Sequence, residues 1–387
     1  MSEIIWGRYS LLVYTGIFSA VTFLFLLYYP FIVIFFLPSF ILFSIAIYDF
    51  LQKKRSVLSN FPLLGRFRFF LESIRPELRQ YYWESDDDEL PYSRNQRTMV
   101  YERAKNVGGV RPFGSLEKMY NDDFVWLNHS IQPSNIMVDD FKTKVGIGKS
   151  SYSMSVLNIS GTSFGAMSPP AIESLNKSAK IGGFAHNTGE GSLSKYHEAG
   201  GGDLIWQIST GYFGCRTKNG NFCRKQFSEK SKLDQVKMIE IKLSQGAKPG
   251  HGGMLLAEKV TEEIAETRGV EVGKDCISPS SHSEFSNPIQ LLNFVEDLRK
   301  LSNGKPVGIK LCVGHPWELI SIIKAMVNTK KYIDFITVDG AEGGTGAAPV
   351  EFTDHLGCPL KDAVVFVENA LIGANLRDRV KVGASGK

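Results

Sequence analysis

Between residues 9 and 48 the chain has no aspartate, glutamate, lysine, arginine or histidine. Forty such residues cannot make a soluble surface. They are also too many for a cleaved leader, and no small-residue cleavage site stands out. Charge of one sign is lacking as well. The 387 residues carry 44 Lys+Arg against 40 Asp+Glu, a net +4, and no basic run has interleaved aromatics, which argues against a nucleic-acid partner. Cysteine is scarce and one-sided. Cys215, Cys223, Cys276, Cys312 and Cys358 are odd in number and confined to the second half, so they form no disulfide framework and fit a reducing compartment. Cys215 and Cys223 have the wrong spacing for zinc or a cluster, and His251 and His282 are loop residues, so no metal site is expected. No G-x-G-x-x-G follows a strand, which removes a built-in dinucleotide site. No internal repeat or low-complexity tract occurs. With 43% hydrophobic residues and no simple period, collagen-like, disordered and mini-protein classes are excluded.

Two apolar stretches fill the charge-free region, residues 11–29 and 31–48, separated by Pro30. One helix over both would be about 57 Å long, against a hydrocarbon core of about 30 Å. Pro30 disfavours helix at Tyr29 and interrupts the ladder, so the expectation is a transmembrane helical hairpin within residues 1–55. Pro38 is tolerable in lipid. Lys53, Lys54 and Arg55 follow, then Arg66 and Arg68, and the positive-inside rule puts both ends and the following domain on the cytoplasmic side. A re-entrant hairpin and a hairpin buried in a soluble core are the competing readings.

Residues 56–150 read as a linker and cap region. The run at 85–89 is an acidic, solvated loop. Ser93 and Gln96 form a capping box that opens a helix to about Lys105. From residue 151 to 387, β-rich runs alternate with helical patterns: strands at 156–159, 183–186, 204–208, 239–243, 307–311, 335–338 and 380–383. Helices start at Pro169, Pro288, Pro316 and Pro359, with apolar residues at helical spacing. This is an α/β pattern with a parallel sheet, an incomplete (β/α)₈ TIM barrel with about seven strands. The chain stops just after a strand, so a truncated C-terminal end is expected.

Chemistry in such a barrel belongs at the C-terminal ends of the strands. Polar, glycine-rich turns follow six strands in succession: 160–168, 186–191, 207–211, 245–253, Lys310 and 339–346. Glycines let a backbone lie close to a flat or phosphorylated ligand.

Residues 158–387 resemble the FMN-binding synthase domain of glutamate synthase. The resemblance rests on Ser163-Phe164-Gly165-Ala166-Met167-Ser168, Asn187-Thr188-Gly189-Glu190-Gly191, Gln245-Gly246-Ala247-Lys248-Pro249-Gly250, Gly343-Gly344-Thr345-Gly346-Ala347 and Leu376-Arg377-Asp378-Arg379-Val380. Together with the upstream apolar hairpin and Arg75-Pro76-Glu77-Leu78-Arg79-Gln80-Tyr81, the chain looks like the short, membrane-attached members of that family. The resemblance implies a barrel holding FMN that reduces 2-iminoglutarate, formed from 2-oxoglutarate and ammonia, to L-glutamate. It implies cofactor contacts at Thr162, Ser163, Gln207, Lys310, Gly340, Gly343, Gly344, Thr345 and Gly383. It implies a substrate site at Glu190, Lys248 and Arg268, with Glu190 and Lys248 as catalytic residues. Any iron–sulfur cluster would lie beyond the last strand. Electrons would come from a partner, a ferredoxin-like carrier or a membrane redox chain.

Two positions depart from the family. Met254 stands where a glutamine contacts 2-oxoglutarate, and a thioether cannot replace those hydrogen bonds. His251 replaces an acidic residue. An FMN-dependent oxidase or dehydrogenase of another amino or hydroxy acid is therefore the alternative reaction, and a non-catalytic membrane-anchored barrel the alternative of another class.

Overall fold

The computed structural model describes residues 7–83, 91–109, 113–115, 118–122, 124–137, 141–248, 250, 252–345 and 348–386. The acidic run 85–89, Pro249, His251, Gly346 and Ala347 lie outside the described residues. The chain divides into two compact units, residues 1–121 and 122–387.

In the first unit, helices α1 (Ser10–Leu26) and α2 (Pro30–Leu51) run antiparallel. Tyr9 meets Phe50 at 5.4 Å between ring centroids, Gly16 lies against the ring of Phe43, and Thr22 Oγ1 is 3.3 Å from Ser39 Oγ. Small and hydroxyl residues thus line the seam while phenylalanines and leucines face outward, the reverse of a soluble helix pair. Tyr29 is extended (φ −132°, ψ 96°), as the clash with the Pro30 ring requires. The first helix ends at Leu26 rather than 29, because the chain unwinds ahead of that extended residue. Only α2, among the described residues, is long and apolar enough to cross a membrane by length and composition.

Asp49, near the end of α2, is fully buried. It takes a two-pronged hydrogen bond from Arg66 (2.7 and 2.8 Å) and one from the Leu63 backbone N–H at 3.2 Å. This clamp fixes where α4 (Leu64–Leu78) starts, after the short α3 (Ser56–Asn60). The capping box forms as expected. Gln96 N donates to Ser93 Oγ (3.2 Å), Ser93 N donates to Gln96 Oε1 (3.0 Å), and α5 (Arg94–Ala104) follows.

The second unit opens with an antiparallel pair, β1 (Lys142–Val145), inside the span read as linker and cap, and β2 (Tyr152–Ser155), just past its end. A curled parallel sheet follows. Its strands are β3 (His186–Asn187), β4 (Leu204–Ile208), β5 (Val236–Lys242), β8 (Val307–Cys312), β9 (Phe335–Asp339) and β10 (Lys381–Ser385), in the order β10-β9-β8-β5-β4-β3. Between β5 and β8 in the chain, β6 (Met254–Leu255) and β7 (Cys276–Ile277) form a separate antiparallel pair. The expected strand at 156–159 is not one. Val156 and Leu157 are exposed, and only Ile159 makes a parallel bridge, to His186. Asn158 explains this: its amide ties Ser155 O and Ala185 N (2.6 and 3.0 Å), so the chain bends on leaving β2. The expected strand at 183–186 begins only at His186, because Gly183 is the left-handed cap (φ 65°) of α6 (Pro169–Gly182). Seven expected strands are therefore six and a bridge.

Alternation along the strands separates the faces. A short helix, α7 (Lys195–Ala199), joins β3 to β4. The convex face carries Trp206, Ile239, Ile241, Ile309 and Ile336. They pack against α8 (Arg224–Ser231), α10 (Pro288–Leu301), α11 (Pro316–Thr329) and α12 (Leu360–Gly373), with α9 (Glu262–Arg268) lying at the β6–β7 pair. The concave face is layered. Ala185, Ile205, Met238 and Phe335 form an apolar floor, closed from below by Val145, Tyr152 and Met154 of the β1–β2 pair. Above it lie Asn187, Gln207, Glu240 and Thr337, and above these the charged rim. Glu240 shows the curl directly. Strands two apart in a flat sheet lie about 9.5 Å apart, yet this one carboxylate bonds side chains two strands away on both sides, Asn187 and Thr337.

Candidate active site

At the C-terminal rim of β5, Lys242 Nζ is 2.9 Å from Glu190 Oε2, and Ser209 Oγ donates to the same oxygen at 3.3 Å. Asn187 sets Glu190 in place: its Oδ1 accepts from Gly189 N (2.9 Å), where φ is 63° and an added Cβ would lie 2.7 Å from Ser163 N. Only glycine lets that loop lie against Thr162 and Ser163. Gly253 also approaches Glu190, and a Cβ added there would fall 2.6 Å from Oε1. Arg268 and Lys248 complete the cluster.

Arg268 is the last residue of α9, capped by left-handed Gly269 (φ 70°). Helix α9 packs on Phe164, Phe213, Leu255 and Cys276, the last two from β6 and β7. Arg268 is buried, donates to Phe164 O at 2.9 Å and lies over the Phe213 ring at 5.3 Å. Its Nε has no hydrogen-bond partner among the described residues. Lys248 follows Ala247, whose positive φ (61°) is uncommon for a non-glycine. The turn is held by Ala247 N to Leu356 O (3.2 Å) and Gly246 N to Asp339 Oδ2 (3.0 Å). Lys248 is buried and makes no ion pair among the described residues. Burial pushes its pKa down, with Lys242 adding to the effect and Glu190 opposing it.

Burial alone would raise the Glu190 pKa. Lys242 above all, with Lys248 and Arg268, outweighs it, so Glu190 sits below the usual carboxylate range. Lys242→Met is expected to reverse that sign. In the wild type, Glu190 contributes stability above its unfolded pKa that is lost as pH falls through the lower folded one. In the variant the carboxylate is buried with its main partner gone, so the stability deficit grows as pH rises toward neutrality. Melting temperatures of both proteins from pH 4 to 8 test this. A deficit independent of pH would overturn it.

Lys310 does not stand alone. Asp339 Oδ1 lies 2.8 Å away and Ser385 Oγ 3.4 Å away. Gly340 N donates to Ser385 O at 2.9 Å, which joins the β9 loop to β10. Gly383 is in register with Thr337, and an added Cβ there would have no atom nearer than 3.9 Å, so the concave face is open beside it. Thr162 hydrogen-bonds His186 through its hydroxyl, and its backbone O lies 3.0 Å from His197 Nε2. Ser163 lies against Gly189 and Gly191. Gly343 and Gly344 follow on the loop after β9. Gly343 N donates to Asp354 Oδ1 (2.6 Å) and Gly344 abuts Thr353, with Thr345 following on the same turn. The structure thus gathers Glu190, Lys248 and Arg268 on one side of the rim and Lys310, Gly340 and Gly383 on the other, with Gln207 between and below.

Sequence reasoning did not single out Lys242 or Glu240, and it gave Asn187, quoted only within its motif, no role of its own. The signal was Ile239-Glu240-Ile241-Lys242, which alternates apolar and charged residues on a strand that helices must cover on one face. Met254, which departs from the family's glutamine, is 45% exposed on β6, paired with Ile277.

Residues 123–387 match the conserved region in glutamate synthase. Glutamate synthase large subunit-like protein YerD of Bacillus subtilis is 38% identical over 385 residues, covering 89% of this chain and 73% of that protein. The archaeal-type glutamate synthase [NADPH] of Thermotoga neapolitana is 35% identical over 232 residues (58% of this chain, 41% of that one). The archaeal glutamate synthase [NADPH] of Methanocaldococcus jannaschii is 36% identical over 229 residues (59% and 42%). The chain thus spans about two-fifths of the length of these last two relatives. On a match that takes in the whole curled sheet and both sides of its rim, the chain belongs to the glutamate synthase family, oxidoreductases acting on CH–NH₂ donors.

Proposed function

We propose that this chain is an FMN-dependent oxidoreductase that converts 2-oxoglutarate and ammonia, by way of 2-iminoglutarate, to L-glutamate, with electrons delivered by a partner protein. The observation that carries the reading is the Glu190–Lys242–Lys248–Arg268 cluster. Three cations around one carboxylate leave an excess of two positive charges, the complement of a dicarboxylate. Lys248 and Arg268 would clamp the two carboxylates. Glu190, kept ionised by its neighbours, would hold the substrate nitrogen by a charge-assisted hydrogen bond. Lys248, whose pKa burial lowers, would hand over a proton at Nζ.

The donor set fits FMN. The concave face offers Gln207 on a polar layer, open space at Gly383 and a cation at Lys310. Thr162, Ser163, Gln207, Lys310, Gly340, Gly343, Gly344, Thr345 and Gly383 would hold it, and FMN when bound would supply the hydride. Lys310 would stabilise negative charge beside the ring. On this reading the curled sheet is most of a (β/α)₈ barrel. The apolar helices anchor the chain, and Lys53, Lys54 and Arg55 keep the catalytic domain on the cytoplasmic side of the membrane. Met254 favours a second reading, an FMN-dependent enzyme for another amino or hydroxy acid, because its thioether cannot hydrogen-bond a dicarboxylate.

The test uses the chain purified in detergent. It is expected to be yellow, or to become so with added FMN, and to form glutamate from 2-oxoglutarate and ammonia with a chemically reduced ferredoxin. Flavin binding without glutamate, but with flavin reduction by another amino or hydroxy acid, would move the assignment to the second reading. A colourless chain that takes up no FMN would overturn both.

A further inference from the structure

We infer that Glu240 is a positioning residue: it fixes the amide orientation of Gln207 and, through Asn187, the loop that carries Glu190. This rests on the FMN reading above. Glu240 is 1% exposed in the middle of β5. Among the described residues it has no cation within ion-pair distance. Its partners are three neutral donors: Asn187 Nδ2 and Gln207 Nε2, both 2.7 Å from Oε1, and Thr337 Oγ1, 2.6 Å from Oε2. A carboxylate buried without a counter-ion is costly, and apolar side chains of similar volume would hold the fold at less expense.

What the carboxylate provides is direction. A side-chain amide has a donor end and an acceptor end, and a carboxylate only accepts. Both amides must therefore turn their NH₂ groups to Glu240. The oxygens are left pointing elsewhere. That of Asn187 accepts from Gly189 N (2.9 Å), one residue before Glu190. That of Gln207 has no hydrogen-bond partner among the described residues. Gln207 Nε2 lies 3.4 Å from an added Cβ at Gly161, so the same amide forms the floor under the loop that leads to Thr162 and Ser163. A ligand ring on this floor meets an acceptor of fixed orientation, and the one N–H on an oxidised isoalloxazine is its complement. One carboxylate thus sets the acceptor for the flavin and the loop for the substrate carboxylate.

A double-mutant cycle in the detergent-purified chain tests this, using Glu240→Gln, Gln207→Leu and both together. The readouts are the FMN dissociation constant and the midpoint potential of the bound flavin. Glu240→Gln gives the amides a partner that can itself donate, so Gln207 is free to flip. FMN binding is expected to weaken about tenfold or more, with a shift in potential and in the visible bands. In the Gln207→Leu background the same change is expected to alter the FMN dissociation constant no more than about twofold, within ordinary additivity error. An equal effect in both backgrounds, or no change in binding and potential with Glu240→Gln, would overturn the inference. If Glu240→Gln does not fold, Thr337→Val removes one donor only. It is expected to shift the potential in the same direction to a smaller extent, and an unshifted potential would count against the inference. A wild type that takes up no flavin removes both this inference and the FMN reading. A wild type that binds flavin but gives an additive cycle removes only this one.

Discussion

Replacing Arg268 with methionine is expected to weaken dicarboxylate binding strongly while leaving the ligand-free protein as stable as before, or more so. Arg268 is 5% exposed; among the described residues its direct contacts are a carbonyl oxygen, a thiol sulfur and a ring face, and its Nε has no hydrogen-bond partner. Its attraction to Glu190 acts at longer range, and Lys242 already neutralises that carboxylate at 2.9 Å. Arg268 is thus a desolvated charge without a contacting counter-ion, which costs stability rather than adding it. Methionine fills much of the same volume among Phe164, Phe213 and Leu255 and brings no unmet polar atom. Ligand binding reverses the balance, because an incoming carboxylate gains a buried partner. Truncating one side of such a pair costs about 2–5 kcal/mol, about 30-fold or more in affinity. Calorimetric titration with 2-oxoglutarate and a thermal melt of the ligand-free protein separate the two effects. A melting temperature lowered by more than about 5 °C, which at this size is a loss beyond 1 kcal/mol, together with unchanged 2-oxoglutarate binding, would show Arg268 to be structural.

The same residues show what a sequence can and cannot disclose. Helix starts were legible because caps are local. Ser93 with Gln96, and the prolines at 169, 288 and 316, satisfy or remove backbone donors within one turn, so a short window contains the whole interaction. The break at Tyr29 was legible for the same reason, since a proline constrains its neighbour directly. The strand at 156–159 misled because β-propensity measures fit to a half-buried surface. Val156 and Leu157 have the propensity, but Asn158 pulls the chain off the sheet through partners 27 residues away and nearer. The site was legible as a rim of glycine-rich turns and single charges. It was not legible as pairs. Lys310 with Asp339, Lys242 with Glu190, and Glu240 with residues 53 positions before it and 97 after it meet only through sheet order. Nothing in the local sequence fixes that order.

Acidification is expected to unfold the second unit over a narrow range, between about pH 6.5 and 4, because three histidines are buried there in the neutral form. His186, His197 and His282 are each held at about 4, below the ordinary 6.5, and burial is the main cause. His197 also lowers His186 by proximity, the rings lying 5.2 Å apart. Hydrogen bonds identify the neutral tautomers. His197 Nδ1 accepts from Ser194 N (3.2 Å), so its proton is on Nε2, facing Thr162 O. His282 Nε2 faces Lys242 O at 2.9 Å and carries the proton, leaving Nδ1 to the Tyr212 hydroxyl. His186 Nδ1 has no hydrogen-bond partner among the described residues.

The sign follows from proton counting. Below 6.5 the unfolded chain protonates these groups and the folded chain does not, so stability falls with pH until the folded pKa is reached. A gap from 6.5 to about 4 is worth about 3 kcal/mol per histidine. The three together rival the roughly 5–15 kcal/mol that holds a domain folded. Glu190 contributes only at the acid end of this window, because its stabilising effect begins to be lost once pH falls below the ordinary carboxylate value of 4.5. Melting temperatures across pH 7 to 4.5 are expected to fall steeply in the wild type and less steeply in His282→Gln, which can keep a donor toward Lys242 O without a titrating ring. Equal slopes would sink the argument. The coupling to chemistry is built into the same contacts: His186 and His197 both bond Thr162, and His282 bonds the backbone of Lys242. Charging these rings therefore loosens the first loop and the Lys242–Glu190 pair before the sheet gives way, and any bound flavin is expected to leave at a pH no lower than that of unfolding.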